Sequence, residues 1–247
     1  MTTQSHRNDG PLAVLLLTLT FVTGLIDAVS FFRLDHVFVA NMTGNVVFLA
    51  FAIGDAREFS IAASSIALIA FFAGALAGGR LGSSYGAHRW QHLTLALGIN
   101  VFMLGAAAAG TAVFPYADYA WMHYVVIALL ALAMGLQNAT ARWLAVPDLT
   151  TTVLTLTLTG LAADSRWAGG SSPRPLTRIA AVATMFSGAL VGATLVLRFS
   201  TAVVIELAFL IVVGAAITAL QFQRSTEPWV LATGERGSSG LTSTTKF

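Results

Sequence analysis

Apolar runs separated by short polar breaks make up most of this chain. Six runs cover Pro11 to Phe32, Ile61 to Leu81, Leu93 to Phe114, Trp121 to Trp143, Ile179 to Leu197 and Thr201 to Phe222. Each has about the 20 residues with which an α-helix crosses a hydrocarbon layer. Two further stretches do not fit that pattern. Val37 to Gly54 is apolar at its ends but holds Ala40-Asn41-Met42-Thr43-Gly44-Asn45 at its head. Residues 148–163 follow the break Pro147-Asp148 and include Thr150-Thr151-Thr152-Val153-Leu154-Thr155-Leu156-Thr157. The pattern predicts an all-α integral membrane protein of about six transmembrane helices plus two short broken or re-entrant segments.

Composition agrees with a bilayer as the solvent. Hydrophobic residues make up 56%, charged residues 10%, and mean hydropathy is +0.78. A soluble domain carries about 25% charge. The chain has no cysteine, which excludes disulfides, thiolate catalysis and cysteine-ligated metal centres. The pI of about 9.4 reflects a small excess of Arg scattered at span ends. It forms no patch, so nucleic acid is not expected as a partner. Arg7 precedes an apolar run too long for the core of a signal peptide, which reads as an uncleaved first helix. Residues 1–10 read as a cytoplasmic tail. Residues 223–247, rich in Ser, Thr and Gly, read as a disordered cytoplasmic tail.

Three short matches recur in the same order. Gly24-Leu25-Ile26-Asp27-Ala28 parallels Gly135-Leu136-Gln137-Asn138-Ala139, Phe72 to Gly78 parallels Phe186 to Gly192, and Leu104 to Ala107 parallels Val213 to Ala216. They predict two repeats, residues 11–114 and 115–222. If both short segments re-enter and the N-terminus is cytoplasmic, most Arg residues lie inside, and Arg33, Arg57 and Arg198 lie outside. Three spans per unit then make the repeats inverted, a build that recurs in secondary transporters.

The candidate chemistry sits at the polar breaks. Asn41 or Thr43 is placed to cap a short helix running to about Ile53, too short to span. The amides at its N-terminus, and those of a partner helix starting near Asp148 to Thr152, would offer a polar or anion-friendly site near the membrane midplane. Asn41, Thr43, Gly44, Asn45, Thr151, Thr152 and Thr155 are the expected lining. Thr152, Thr155 and Thr159 share one helical face. Asp27, a carboxyl group inside the first span, is costly in hydrocarbon and must face protein or water. It could carry protons, bind a cation, or cap the broken helix. Asn138 is its neutral counterpart. Gly74-x-x-x-Gly78 and Gly188-x-x-x-Gly192 read as helix contacts, within the chain or between subunits of a homo-oligomer. His88 and His92 have i,i+4 spacing but no third metal ligand, and read as a surface loop. No nucleophile, zinc-protease or phosphate-loop motif occurs. No cofactor, metal site or enzymatic activity is expected.

The runs Gly24 to Phe31 and His36 to Asn45, with the later Thr151-Thr152-Val153-Leu154-Thr155, resemble the YoaK family of bacterial membrane proteins. The likeness extends from about residue 12 to 222. It implies an inner-membrane protein of about six spans and supplies no substrate. In the second half this chain has Thr155-Leu156-Thr157 where that family often has Thr-Gly-Asn-like residues. The pairing of extended segment and short helix also looks like the half-helices of SulP-type anion and nucleobase transporters. The expectation is a transporter or channel for a small polar or anionic solute, with Asp27 as its coupling or gating acid. The alternative is a non-transport assembly partner or sensor that binds other helices through its Gly faces.

Overall fold

The computed structural model describes residues 10–85, 88–114, 120–144, 154–171 and 175–223. Among them are eight α-helices and no strand. Six are long and apolar enough to cross a membrane: α1 (Gly10–Arg33), α3 (Ile61–Tyr85), α4 (Arg89–Val113), α5 (Ala120–Leu144), α7 (Pro175–Arg198) and α8 (Thr201–Gln223). Two are short: α2 (Met42–Ile53) and α6 (Leu154–Ala163). A 3₁₀ turn, Arg166–Ala168, follows α6. The chain is a multi-pass membrane protein. The polar connection expected over residues 82–92 is much shorter than that. Both flanking helices continue into it, because Gly82 packs under the Trp143 indole and Arg89 and Trp90 are buried.

Glycine determines which helices lie side by side. A Cβ on Gly74 would sit 2.0 Å from the carbonyl oxygen of Leu132, and one on Gly135 would sit 2.0 Å from that of Phe71. Backbones this close are possible only where side chains are missing. Gly78 lies against Leu136, four residues on, so α3 and α5 run parallel. The α1–α7 pair is built the same way. Gly188 meets the Phe21 carbonyl, Gly192 meets that of Leu25, and Gly24 meets that of Met185. Both Gly-x-x-x-Gly faces are therefore occupied within the chain, one of the two alternatives expected of them. α4 runs antiparallel to α8, with Gly105 against Phe209 and Trp90 stacked on Phe222 at 4.9 Å.

The route from α1 to α3 is a hairpin that returns toward the end of α1 from which it starts. α1 ends at Arg33, and Asp35 and His36 take left-handed φ of 56° and 55°. Asp tolerates this conformation better than most residues. The turn sends residues 37–41 back alongside α1. α2 then returns the chain to the face it came from. Rings along the way establish this: Phe38 stacks on Phe31 near the end of α1 (5.4 Å), Phe48 in mid-α2 lies 5.7 Å from Phe38, and Phe48 stacks on Phe59 at 4.8 Å, just before α3. α2 ends with Asp55 in the left-handed region (φ 70°), with the Asp55 amide donating to Ala52 and that of Ala56 to Phe51. This is the hydrogen-bond closure of a helix C-terminus. Ser60 caps α3 by accepting from the Ala63 amide at 3.2 Å.

Candidate functional site

A non-helical segment inside a membrane leaves backbone groups that lipid cannot satisfy. Residues 37–41 face that problem, and two side chains answer it. Asp27 Oδ1 accepts the amide of Val39 at 3.0 Å and that of Ala40 at 2.9 Å, and Oδ2 accepts from the Asn41 side-chain amide. Asn45 works from the other flank: its Oδ1 accepts the Phe38 amide at 2.8 Å and its Nδ2 donates to the Phe38 carbonyl. That reciprocal pair mimics one rung of a β-ladder. Asp27, Val39, Ala40 and Asn45 are all buried.

The position of the acid follows from its own helix. Asp27 lies six residues before Arg33, so the tip of the hairpin is about 9 Å inside the face where α1 ends. Asn41 is the residue before α2, as expected, but its side chain makes no cap and serves Asp27 instead. The Asp27 carboxylate thus lies beside the segment leading into α2, on the amides of Val39 and Ala40.

The other expected lining residues separate into groups. Gly44 faces the Phe38 ring, where a Cβ would lie 2.5 Å from ring carbon. Thr43 is exposed on the outer side of α2. Thr155 and Thr159 are exposed on α6, and the buried threonine there is Thr157. The polar lining expected of Thr155 is thus displaced by two residues, because α6 turns Thr157 inward. Thr151 and Thr152 lie outside the described residues. Asn138 is half-buried and donates to the Met134 carbonyl at 2.9 Å. α2 packs against α3 and α6 against α7. Among the described residues α2 and α6 share no substantial packing interface; residues 148–153, at the expected meeting point, lie outside them. α6 is held at its C-terminal end by an ion pair, Asp164 to Arg178 at 2.7 Å.

Sequence reasoning passed over a second polar group. Gln137 on α5 is 1% exposed and reaches across to α1, where its Nε2 donates to Thr23 Oγ1 (3.0 Å) and the Leu19 carbonyl (3.3 Å). Thr23 is one helical turn from Asp27. Thr20, Thr23, Asp27 and Ser30 form a buried polar stripe on α1, and that spacing was readable. His92 was also misassigned to a surface loop: it is 1% exposed inside α4, edge-on to Trp143.

Residues 15–219 match the sequence profile of a family described as "Protein of unknown function (DUF1275)". The chain is 33% identical over 165 residues to the UPF0700 transmembrane protein YoaK of Bacillus subtilis (strain 168), covering 66% of this chain and 69% of that protein. No solved structure matches.

Proposed function

We propose a function for a chain that belongs to the DUF1275 family of YoaK-like transmembrane proteins: passage of a small polar solute across the inner membrane. The observation that carries this reading is the re-entrant hairpin, residues 37–53. A protein that only needs to sit in a bilayer has no use for extended backbone at membrane depth. Such backbone occurs where it is buried in protein or lines a cavity, and it recurs in transporters. With both Asp27 oxygens engaged, its role is to hold the hairpin in place rather than to couple protons. The carboxylate also turns preference away from anions and toward neutral solutes.

Duplication of the chain supports the same reading. Gly24 and Gly135 make equivalent contacts in the α1–α7 and α3–α5 pairs, and so do Gly188 and Gly74. Asn45 and Thr157 are each the fourth residue of a short helix and its one buried residue. These correspondences follow from two inverted repeats, α1–α4 and α5–α8, whose helices exchange partners. In the positive-inside orientation, the face at which α1, α4 and α7 begin is cytoplasmic. The assembly-partner reading loses ground because the Gly faces it relied on are occupied.

The test is flux through proteoliposomes, followed by light scattering after an osmotic step with glycerol, urea or sodium formate. Glycerol or urea entry faster than in protein-free vesicles, with formate unchanged, is the expected result. Background rates for all three would refute the proposal.

A further inference from the structure

Among the described residues, six buried side-chain nitrogen or oxygen atoms have no hydrogen-bond partner. Five of them lie on α4 and α5: Thr94 Oγ1 on a half-buried residue, and His92 Nε2, Asn100 Oδ1, Gln137 Oε1 and Thr140 Oγ1 on four fully buried ones. All four residues are at most 2% exposed. Native interiors hold few such atoms, and each one calls for an explanation.

The geometry collects them. α4 and α5 are antiparallel neighbours pinned at both ends. Arg89 Nη2 donates to the Leu144 carbonyl at 2.7 Å at one end, and Gly110 lies against Met122 Sδ at the other. Counting residues between these two contacts along antiparallel helices puts Ala96 level with Gln137, Asn100 level with Ala133, and His92 level with Thr140. Small residues therefore lie level with the two amides, and the unpaired atoms fall within a few turns of one another on this helix pair.

The orientation of Gln137 is fixed by chemistry. Its neighbours on α1 can only accept: Leu19 offers a carbonyl, and the Thr23 hydroxyl proton is already committed to that carbonyl at 2.9 Å. The NH₂ group must point at α1, so Oε1 is left free. Beyond Thr23, one turn along α1, lies Asp27 at the tip of the hairpin.

We infer that the α4–α5 seam, running from His92 and Thr140 past Gln137 and Asn100 to the hairpin tip at Asp27, is a hydrated internal path that binds small neutral solutes with N–H or O–H donors. The unpaired atoms include two amide oxygens, which only accept, and a hydroxyl. None of the amide or hydroxyl groups carries formal charge, so nothing in them repays the desolvation of an ion. Neutral donors such as water, polyols and ureas are the chemical class that fits. The inference deepens the transport reading by naming its path and solute class.

The chain lacks cysteine, so single cysteines can be introduced at Ala96 and Ala133 on the seam, with Ala208 and Ala215 on α8 as buried apolar controls. Protein in lipid nanodiscs is treated with methanethiosulfonates of similar size: neutral hydroxyethyl, cationic trimethylammonioethyl and anionic sulfonatoethyl. The expected result is neutral-reagent labelling of Ala96→Cys and Ala133→Cys at least tenfold faster than of the controls, and faster than by either charged reagent. Adding Gln137→Leu or Asn100→Leu should slow labelling at the seam and leave the control rates unchanged. A variant that merely unfolds would raise every rate, and the seam would then be judged on the Ala→Cys proteins alone. Seam rates no faster than the controls would overturn the inference, as would a preference for a charged reagent. The two readings fail separately. Fast seam labelling without solute flux would remove the transport function and keep a hydrated seam. Flux with a dry seam would put the path elsewhere.

Discussion

Replacing Asp27 tests the hairpin most directly, and Ala and Asn substitutions should behave differently. In Asp27→Ala, the buried amides of Val39 and Ala40 lose their shared acceptor, Oδ1. A buried donor stranded in this way costs about 1–3 kcal/mol. Asn41 is half-buried and can turn its amide away, so only the two backbone groups are counted. The expected loss is about 2–6 kcal/mol for the local structure. At roughly 1.4 kcal/mol per factor of ten, the hairpin opens at least about 30-fold more often. In Asp27→Asn, the amide oxygen can take over both backbone donors, because both already fall on one oxygen. The new NH₂ meets Asn41, which can present its own oxygen by a flip. What remains is the difference between charged and neutral acceptors, about 1–2 kcal/mol. The assay is thiol protection of Val39→Cys, a position that is fully buried. Labelling should accelerate strongly with Asp27→Ala and only slightly with Asp27→Asn. Protection equal to that of the parent in Asp27→Ala would refute the argument that the carboxylate holds the segment.

Other substitutions test other parts of the fold. Gly74→Val and Gly188→Val each drive a side chain into a facing carbonyl and should destabilise by about 1–3 kcal/mol or more, as over-packing does; Gly98→Ala and Gly214→Ala, with open space around them, should leave the melting temperature unchanged. Asn45→Ala removes both bonds to Phe38 and should cost about 2–4 kcal/mol, read as a lower melting temperature in detergent. Asp164→Asn breaks a pair whose acid is 46% exposed, so its effect on melting should stay within about 1 kcal/mol. Arg57→Cys, in the loop after α2, should react with an impermeant thiol reagent in intact cells; reaction only after the cells are opened would reverse the assigned orientation.

The six spans were legible because lipid-facing helices must be apolar all round, a one-dimensional signal. The hairpin was legible because Asp27, Asn41 and Asn45 are too polar to be idle in such a chain. What was hidden was which partner each one takes. Sequence suggested that Asn41 or Thr43 caps α2 and that Asp27 carries protons, binds a cation or caps the broken helix. In three dimensions Asp27 and Asn45 clamp the extended segment from both sides, and Asn41 serves Asp27. The helix contacts through Gly74 and Gly188 were readable as faces, but their partners, α5 and α1, were not. His92 was misread because a histidine three residues into a helix looks the same in sequence whether it points to water or to Trp143. The seam was hidden for a further reason. Its members are single polar residues on two helices, and only the antiparallel register of α4 and α5 brings them together.

The asymmetry between Asp27 and Asn138 bears on how a duplicated fold can work in one direction. Their surroundings correspond, since Gly24 and Gly135 occupy matching helix crossings. The acid on α1 accepts three hydrogen bonds and donates none. The amide on α5 donates to its own helix, at Met134. An acceptor-only group fastens an extended segment more firmly than a group that must also place two protons, and ionic hydrogen bonds are roughly twice as strong as neutral ones. A carboxylate therefore holds residues 37–41 more tightly than an amide at the same place would. Exchanging the two residues, Asp27→Asn with Asn138→Asp, should quicken hydrogen exchange of residues 37–41. Unchanged exchange there would mean that the charge of Asp27 adds nothing to the hold on the segment.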